Sequence, residues 1–223
     1  MQRDLTTTSY AILAQLALRP WHAYELTKEM QRNLHYFWPR AESRIYDEIK
    51  RLQGAGLAEA TPGFTGRRRR TKYEITDAGR QALAAWLDES PSSGIVVESE
   101  SMLRAFAAMT PAQVRAAVQS VNADAAELLA KAELVGQEYL DGCAPFQDRV
   151  RWRANVHDFL TSYAIMLSEW AQRTEQALDA WETCGEKEID RHALDRIAAD
   201  LARLAAIAPL AAPIGEPSTA STS

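Results

Sequence analysis

The stretch Arg67-Arg68-Arg69-Arg70-Thr71-Lys72 puts five cations into six residues of a 223-residue chain whose net charge is −5. Alone, such a run is either a solvated basic tract or a surface for phosphates. Its flanks favour the second reading. Upstream, Gly56-Leu57-Ala58-Glu59-Ala60 reads as a short strand, and Pro62-Gly63-Phe64-Thr65-Gly66 supplies turn residues expected to break it. Downstream, Lys72-Tyr73-Glu74-Ile75-Thr76 alternates polar and apolar side chains at strand period. The expectation is a two-stranded β hairpin with a basic tip.

Working outward, residues 42–53 carry Ile45, Ile49 and Leu52 on one helical face, with Gly54 and Gly56 as the stop. Ser43, Asp47 and Lys50 occupy the opposite face, flanked by Arg44, Tyr46 and Arg51. An earlier helix runs from Tyr10 to Leu18 and is stopped by Pro20; another begins near His22 and includes Tyr24, Leu26 and Met30. Three helices followed by a basic hairpin is the order of a winged helix-turn-helix, in which the third helix enters the major groove and the wing straddles the backbone.

The residues themselves resemble the PadR family of bacterial transcriptional regulators. The resemblance lies in His22-Ala-Tyr-Glu-Leu26, Phe37-Trp38-Pro39, Ile45-Tyr46, Lys50-Arg51-Leu52, Gly56-Leu57 and Lys72-Tyr73-x-Ile-Thr-x-Ala-Gly79, and covers roughly the first ninety residues. Two positions depart from the family pattern. Ala23 stands where the family usually has Gly, and Ala41 where a Ser commonly opens the reading helix, leaving Ser43 or solvent to satisfy the first amides at a cost of about 1 kcal/mol.

Charge is partitioned along the chain. Residues 1–90 hold 14 Lys plus Arg against 11 Asp plus Glu, a net of +3; residues 91–223 hold 11 against 19, a net of −8. Local phosphate neutralisation governs affinity for nucleic acid, so an acidic protein can bind DNA through one basic surface. No apolar run approaches the ~20 residues of a membrane helix, and Met1-Gln-Arg-Asp lacks a signal-peptide core, so a cytoplasmic protein is expected. Cys143 and Cys184 form no CxxC motif and the histidines at 22, 35, 157 and 192 are scattered, so neither zinc nor a disulfide framework is indicated.

A turn-forming stretch, Ser90-Pro91-Ser92-Ser93-Gly94, follows a helix bearing Ala82, Trp86 and Leu87. The expected organisation is a DNA-binding domain over 1–90, an all-helical domain over 95–207 and a disordered Pro, Ser and Thr-rich tail over 208–223. In the second half, Met102–Met109 suggests a short apolar helix, and Thr110-Pro111-Ala112-Gln113 forms a capping box with Pro at the first helical position. The helix it opens runs through Val114, Val118, Val121, Leu128 and Leu129 toward Leu140, about 45 Å at ~1.5 Å per residue, with Gly142 and Pro145 to end it. A further helix places Val156, Phe159, Leu160, Tyr163, Met166, Leu167 and Trp170 at three- and four-residue steps, and a last one, about Ile189–Ile207, carries Leu194, Ile197, Leu201 and Leu204. Long helices with apolar seams seek partner helices, and a homodimer would set two reading helices against a palindromic operator. The family resemblance implies the same role for the helical domain.

The candidate DNA-binding residues are therefore Ser43, Arg44, Tyr46 and Lys50 on the helix and Arg67, Arg68, Arg69, Arg70 and Lys72 on the wing. Arg44 or Lys50 can reach guanine acceptors or phosphates. Tyr46 either packs at the helix edge or turns its hydroxyl to a phosphate, while His22 and Tyr24 fit a structural role at the start of the second helix. Trp152, Phe159, Tyr163, Trp170 and Trp181 either line a pocket for an aromatic effector, as the resemblance invites, or form core and dimer seam; the seam is the commoner use of such a stripe. No cofactor is implied, and a small-molecule effector is left unidentified. The expected function is a PadR-type DNA-binding regulator, a repressor by resemblance. The alternative is a winged-helix protein-interaction adaptor. With no Gly-rich phosphate loop, GxSxG or HExxH, an enzyme is the weakest reading.

Overall fold

The structure is a computed structural model that describes residues 5–34, 38, 40–65, 68–89, 96–181 and 183–207, without the side chains of Asn33, Phe64, Thr65, Arg68 and Arg69. The chain divides into two units, Met1–Val97 and Glu98–Ser223.

In the first unit, Thr6 opens α1 (Thr7–Leu18) through a capping box with Ser9, satisfying amides that the first helical turn leaves without partners. The helix buries Ile12, Leu13 and Leu16. Arg19 and Pro20 end it, and the short strand β1 (Trp21–His22) leads directly into α2 (Ala23–Leu34). Ala23 takes the place of the family's usual Gly without strain: among the described residues, the non-glycine left-handed residue is Phe146, at φ 60°. Next comes α3 (Glu42–Gly54), which lays Ile45, Ile49 and Leu52 into the core beside Leu26 and the α1 residues, as the sequence spacing requires. Ala41, at the cap position just before the helix, makes no side-chain capping bond, and the turn after the helix uses Gly56 at φ 73°.

The hairpin is formed by β2 (Ala58–Thr65) and β3 (Arg68–Ile75), paired antiparallel from Ala58↔Ile75 to Thr65↔Arg68. Two expectations are corrected here. The segment Pro62-Gly63 does not break the upstream strand: β2 continues through it, and β2 lies at the sheet edge, where a residue lacking N–H is tolerated. Arg68, Arg69 and Arg70 consequently belong to strand β3 rather than to the connection between the strands. The sheet also gains a third strand, since β1 pairs with β3 (Trp21↔Tyr73, His22↔Lys72) in the order β1-β3-β2. Finally, α4 (Asp77–Asp88) is capped by Thr76, whose hydroxyl accepts from the Gly79 amide and donates to the Gly56 carbonyl. A Cβ on Gly79 would lie 2.2 Å from the Leu57 carbonyl oxygen, so only glycine lets α4 approach the start of the hairpin. Trp86 of α4 stacks on Tyr10, ring centroids 4.7 Å apart.

The second unit is wholly helical among the described residues: α5 (Glu100–Ala107), α6 (Pro111–Leu140), a 3-10 turn (Gln147–Arg149), α7 (Val150–Trp181) and α8 (Glu186–Ile207). The Thr110/Gln113 capping box is present with both of its bonds, and α6 ends beyond Leu140 with Gly142 at φ 72°. α6 and α7 run antiparallel. Arg115 pairs with Glu175 and with Asp179 (3.0 Å) at one end, and His157 Nε2 meets the Ala132 carbonyl (2.9 Å) toward the other. Their shared seam is narrow, made by Ala117, Val118, Val121, Ala125 and Leu128 against Ala164, Ala171, Thr174 and Leu178. The stripe Val156, Phe159, Met166 is not in it: these side chains are exposed, because small residues on another face of α7 permit the closer approach. No helix among the described residues is long and apolar enough to cross a membrane. Residues 90–94, read as the domain boundary, and the tail 208–223 lie outside the described residues.

Candidate nucleic-acid interface

The buried and exposed faces of α3 are sharply divided. Ile45, Ile49 and Leu52 are at most 2% exposed, while Ser43, Arg44, Asp47 and Lys50 on the other side are all exposed and Tyr46 is half-buried at the edge. Among the described residues neither Arg44 nor Lys50 has an ion-pair partner. Two cations are thus presented on a helix whose orientation is set by its apolar side.

That orientation is also held by polar contacts. Glu48 accepts from Arg51 (Nη2, 2.6 Å; Nε, 2.9 Å) and from the hydroxyls of Ser9 and Thr6, and Arg51 donates to Ser9 Oγ at 2.7 Å. The Arg51 guanidinium holds the Glu48 carboxyl below the usual glutamate range, with the two hydroxyls helping and partial burial opposing. The network fastens α3 to the start of α1, so Arg51 is an anchoring residue although it flanks the exposed polar face in sequence. A Thr or Ser cap on α1 together with a Glu and Arg three apart on α3 are legible signals; only the fold shows that they meet.

The outer side of α2 links the remaining pieces. Lys28 pairs with Glu42 at the start of α3 (3.2 Å), which raises the Lys28 pKa, with lesser contributions from Tyr24 and Tyr46. One turn earlier on the same helix, Glu25 pairs with Arg70 of β3 at 3.5 Å. Gln31 Nε2 donates to the Arg40 carbonyl (2.8 Å), closing the connection between α2 and α3. Glu25 and Lys28 therefore bring the β2–β3 hairpin and α3 to neighbouring points of α2.

On β3 the alternation of a strand buries Tyr73 and turns Arg70, Lys72 and Glu74 to the other face. Lys72 pairs with Glu74 at 3.1 Å. His22 Nδ1 contacts the Thr71 carbonyl (3.2 Å), so this residue ties β1 to the wing as well as preceding α2. Arg67 lies outside the described residues; Arg68 and Arg69 are placed by their backbone in β3, with their side chains outside the description. The carboxylates that neutralise Arg70 and Lys72 are themselves well exposed, and exposed ion pairs contribute only about 0–1 kcal/mol. A phosphate can replace either carboxylate at little cost.

In the second unit, an open groove of about 590 Å³ lies between α5 and α6, with Ser101, Arg104, Gln113 and Ser120 among its polar lining. None of the five aromatic residues named from the sequence lines it. Among the described residues no group of His, Cys, Asp and Glu is arranged to hold a metal ion.

Comparison with known proteins bears on this geometry. Residues 12–85 match the Transcriptional regulator PadR-like family. The chain is 33% identical over 98 residues to the negative transcriptional regulator PadR of Bacillus subtilis, a stretch that is 44% of this chain and 54% of that protein, so the match spans about half of the relative's length. The crystal structure of Bacillus subtilis PadR in complex with operator DNA superposes on 78% of this chain and 99% of its own, with a TM-score of 0.66 at 20% identity. The same protein in complex with p-coumaric acid gives a TM-score of 0.58 at 22% identity over the same shares of the two chains. At these identities the structures show a common fold.

Proposed function

We propose that this chain, whose residues 12–85 make it a member of the PadR-like family of transcriptional regulators, is a homodimeric, ligand-responsive repressor that binds a palindromic operator. In this reading α3 docks in the major groove, Arg44 and Lys50 reach base edges or phosphates, Ser43 and Tyr46 bond the backbone, and Arg67–Arg70 with Lys72 lie over adjacent phosphates. One observation carries it: α3 exposes Ser43, Arg44 and Lys50 opposite a fully buried face, and the next elements in the chain are the β2–β3 hairpin, whose second strand bears the cationic run. The related Bacillus subtilis protein is named a negative regulator and has been solved with operator DNA and with p-coumaric acid, which supports repression and a small-molecule effector. An effector acts only by favouring one arrangement of the helical unit over another. Such a protein works on the chromosome, in the cytoplasm, and turns over no substrate.

The test is binding of the purified protein to DNA from its own upstream region, followed by fluorescence anisotropy across a salt series. Replacing Arg67–Arg70 with Ala is expected to weaken binding to every sequence by ~10²-fold or more and to flatten the salt dependence, since each lost phosphate contact removes about 0.9 from the slope. An unchanged slope removes the clamp. The exposed apolar side chains of the second unit support a second reading, an interaction adaptor. A protein that binds no duplex at low salt while a protein partner co-purifies is that adaptor.

A further inference from the structure

Helix α3 carries three acidic residues, Glu42, Asp47 and Glu48, and two of them have cationic partners. Glu42 pairs with Lys28 of α2 on one flank, and Glu48 with Arg51 beside α1 on the other. Asp47 is exposed and has no hydrogen bond or ion pair among the described residues, although Arg44 and Lys50 stand one turn away on either side. Its place on the helix is central. At ~100° per residue, Ile45, Ile49 and Leu52 centre the buried face, and Asp47 points within ~15° of the direction opposite to it, closer than Ser43 or Lys50.

The fold gains nothing from an acid at this point. Asp is a poor helix former in a helix interior, and the macrodipole favours carboxylates only in the first turn, where Glu42 stands. In a major groove the same carboxylate lies between phosphates, whose oxygens are acceptors like its own. It loses water on docking and stays unsatisfied unless a donor replaces that water. The base edges offer two kinds of donor in that groove, the N4 amine of cytosine and the N6 amine of adenine. Adenine sets its N7 acceptor beside the amine, which repels a carboxylate; cytosine sets none there. Along the exposed face Arg44, Asp47 and Lys50 follow one another at three-residue steps of ~4.5 Å, in the order donor, acceptor, donor. That order suits a cytosine with guanines near it, since guanine presents acceptors to the flanking cations.

We propose that Asp47 is a specificity-determining residue that reads cytosine: its carboxylate accepts from the N4 amine of the base facing the middle of α3, and rejects guanine and thymine there, whose edges turn acceptors toward it. The inference rests on the docking of α3 in the major groove and deepens it by fixing one base of each half-site. Asp47 then acts mainly by exclusion. It lowers affinity for duplexes that present no amine at that point and spares those that do, which widens the gap between operator and nonspecific DNA.

The test uses the full chain and the duplex it selects from a randomised pool. Each position of the half-site is varied by base, and each cytosine is replaced in turn by a pyrimidinone analogue that lacks the exocyclic amine. The parent chain is expected to lose ~10-fold or more in affinity at one cytosine of each half-site, for the other bases and for the analogue alike. Asp47→Ala, which removes an exposed side chain without partners, should bind cytosine and the analogue equally at that position. It should keep the remaining base preferences and bind unrelated duplexes more tightly than the parent. A D47A protein that retains every base preference overturns the proposal; a uniform gain in its affinity would then make Asp47 a repeller of phosphates alone. A parent chain that binds duplexes with no preference at any cytosine overturns the proposal and leaves the docking of α3 standing. A parent chain that binds no duplex at low salt overturns both.

Discussion

The N-terminal unit closes its apolar surface on itself, whereas the C-terminal unit leaves most of its own outside. In the first, Ile12, Leu13, Leu16, Leu26, Ile45, Ile49 and Leu52 from three helices converge into one core. In the second, the α6–α7 seam is built largely of alanine and valine, and 17 of the 21 exposed large hydrophobic residues among the described ones belong to Glu98–Ile207. The difference lies in where apolar area is satisfied. The N-terminal core fixes the angle of α3 without outside help, and the C-terminal unit keeps an exposed apolar area of the kind that interfaces use.

The largest effect expected to separate the two units is in the core. Leu52→Ala should destabilise the N-terminal unit by about 2–5 kcal/mol in urea unfolding, independently of protein concentration. The melting of the C-terminal unit should instead rise with concentration, because association stabilises only the folded state. A concentration-independent melting of both units would break the contrast. Arg44→Ala should cost about 1–3 kcal/mol at particular base pairs of the operator, read from a panel of single-base variants. An equal loss on all sequences would move Arg44 from bases to phosphates. Thr76→Ala should remove about 1 kcal/mol by uncapping α4, with the change seen in the N-terminal unit alone. The smallest effect is the pH dependence of the Glu48 anchor. Because its folded pKa is lowered by Arg51, Glu48 stabilises the fold above the ordinary glutamate value of ~4.3, and that contribution is lost as the pH falls through its lower folded value. The stability gap between the parent chain and Glu48→Gln should therefore narrow on acidification, and a constant gap would remove the ionic part of the anchor.

Much of the candidate site was legible because it rests on local rules. The apolar positions 45, 49 and 52 leave only one way to bury α3, which puts Ser43, Arg44 and Lys50 outside. The Thr110/Gln113 box likewise starts α6 where its side chains can cap it. The wing was misread at Pro62-Gly63. Turn-forming residues suggest an interruption, but an edge strand tolerates both, and pairing between β2 and β3 carries Arg68, Arg69 and Arg70 onto the strand. The α7 stripe is legible as an apolar row, yet periodicity does not say which face of α7 the helix α6 covers, and the structure leaves Val156, Phe159 and Met166 exposed.

The chain alone thus determined its helices, its cationic run and the polar side of α3, because each follows from neighbours within a few residues. Tertiary structure decided the rest. Strand β1 joins the sheet through Trp21↔Tyr73, Glu48 and Arg51 fasten α3 to Ser9, and Arg70 meets Glu25. All of these unite groups distant in sequence, whose meeting depends on how whole elements pack.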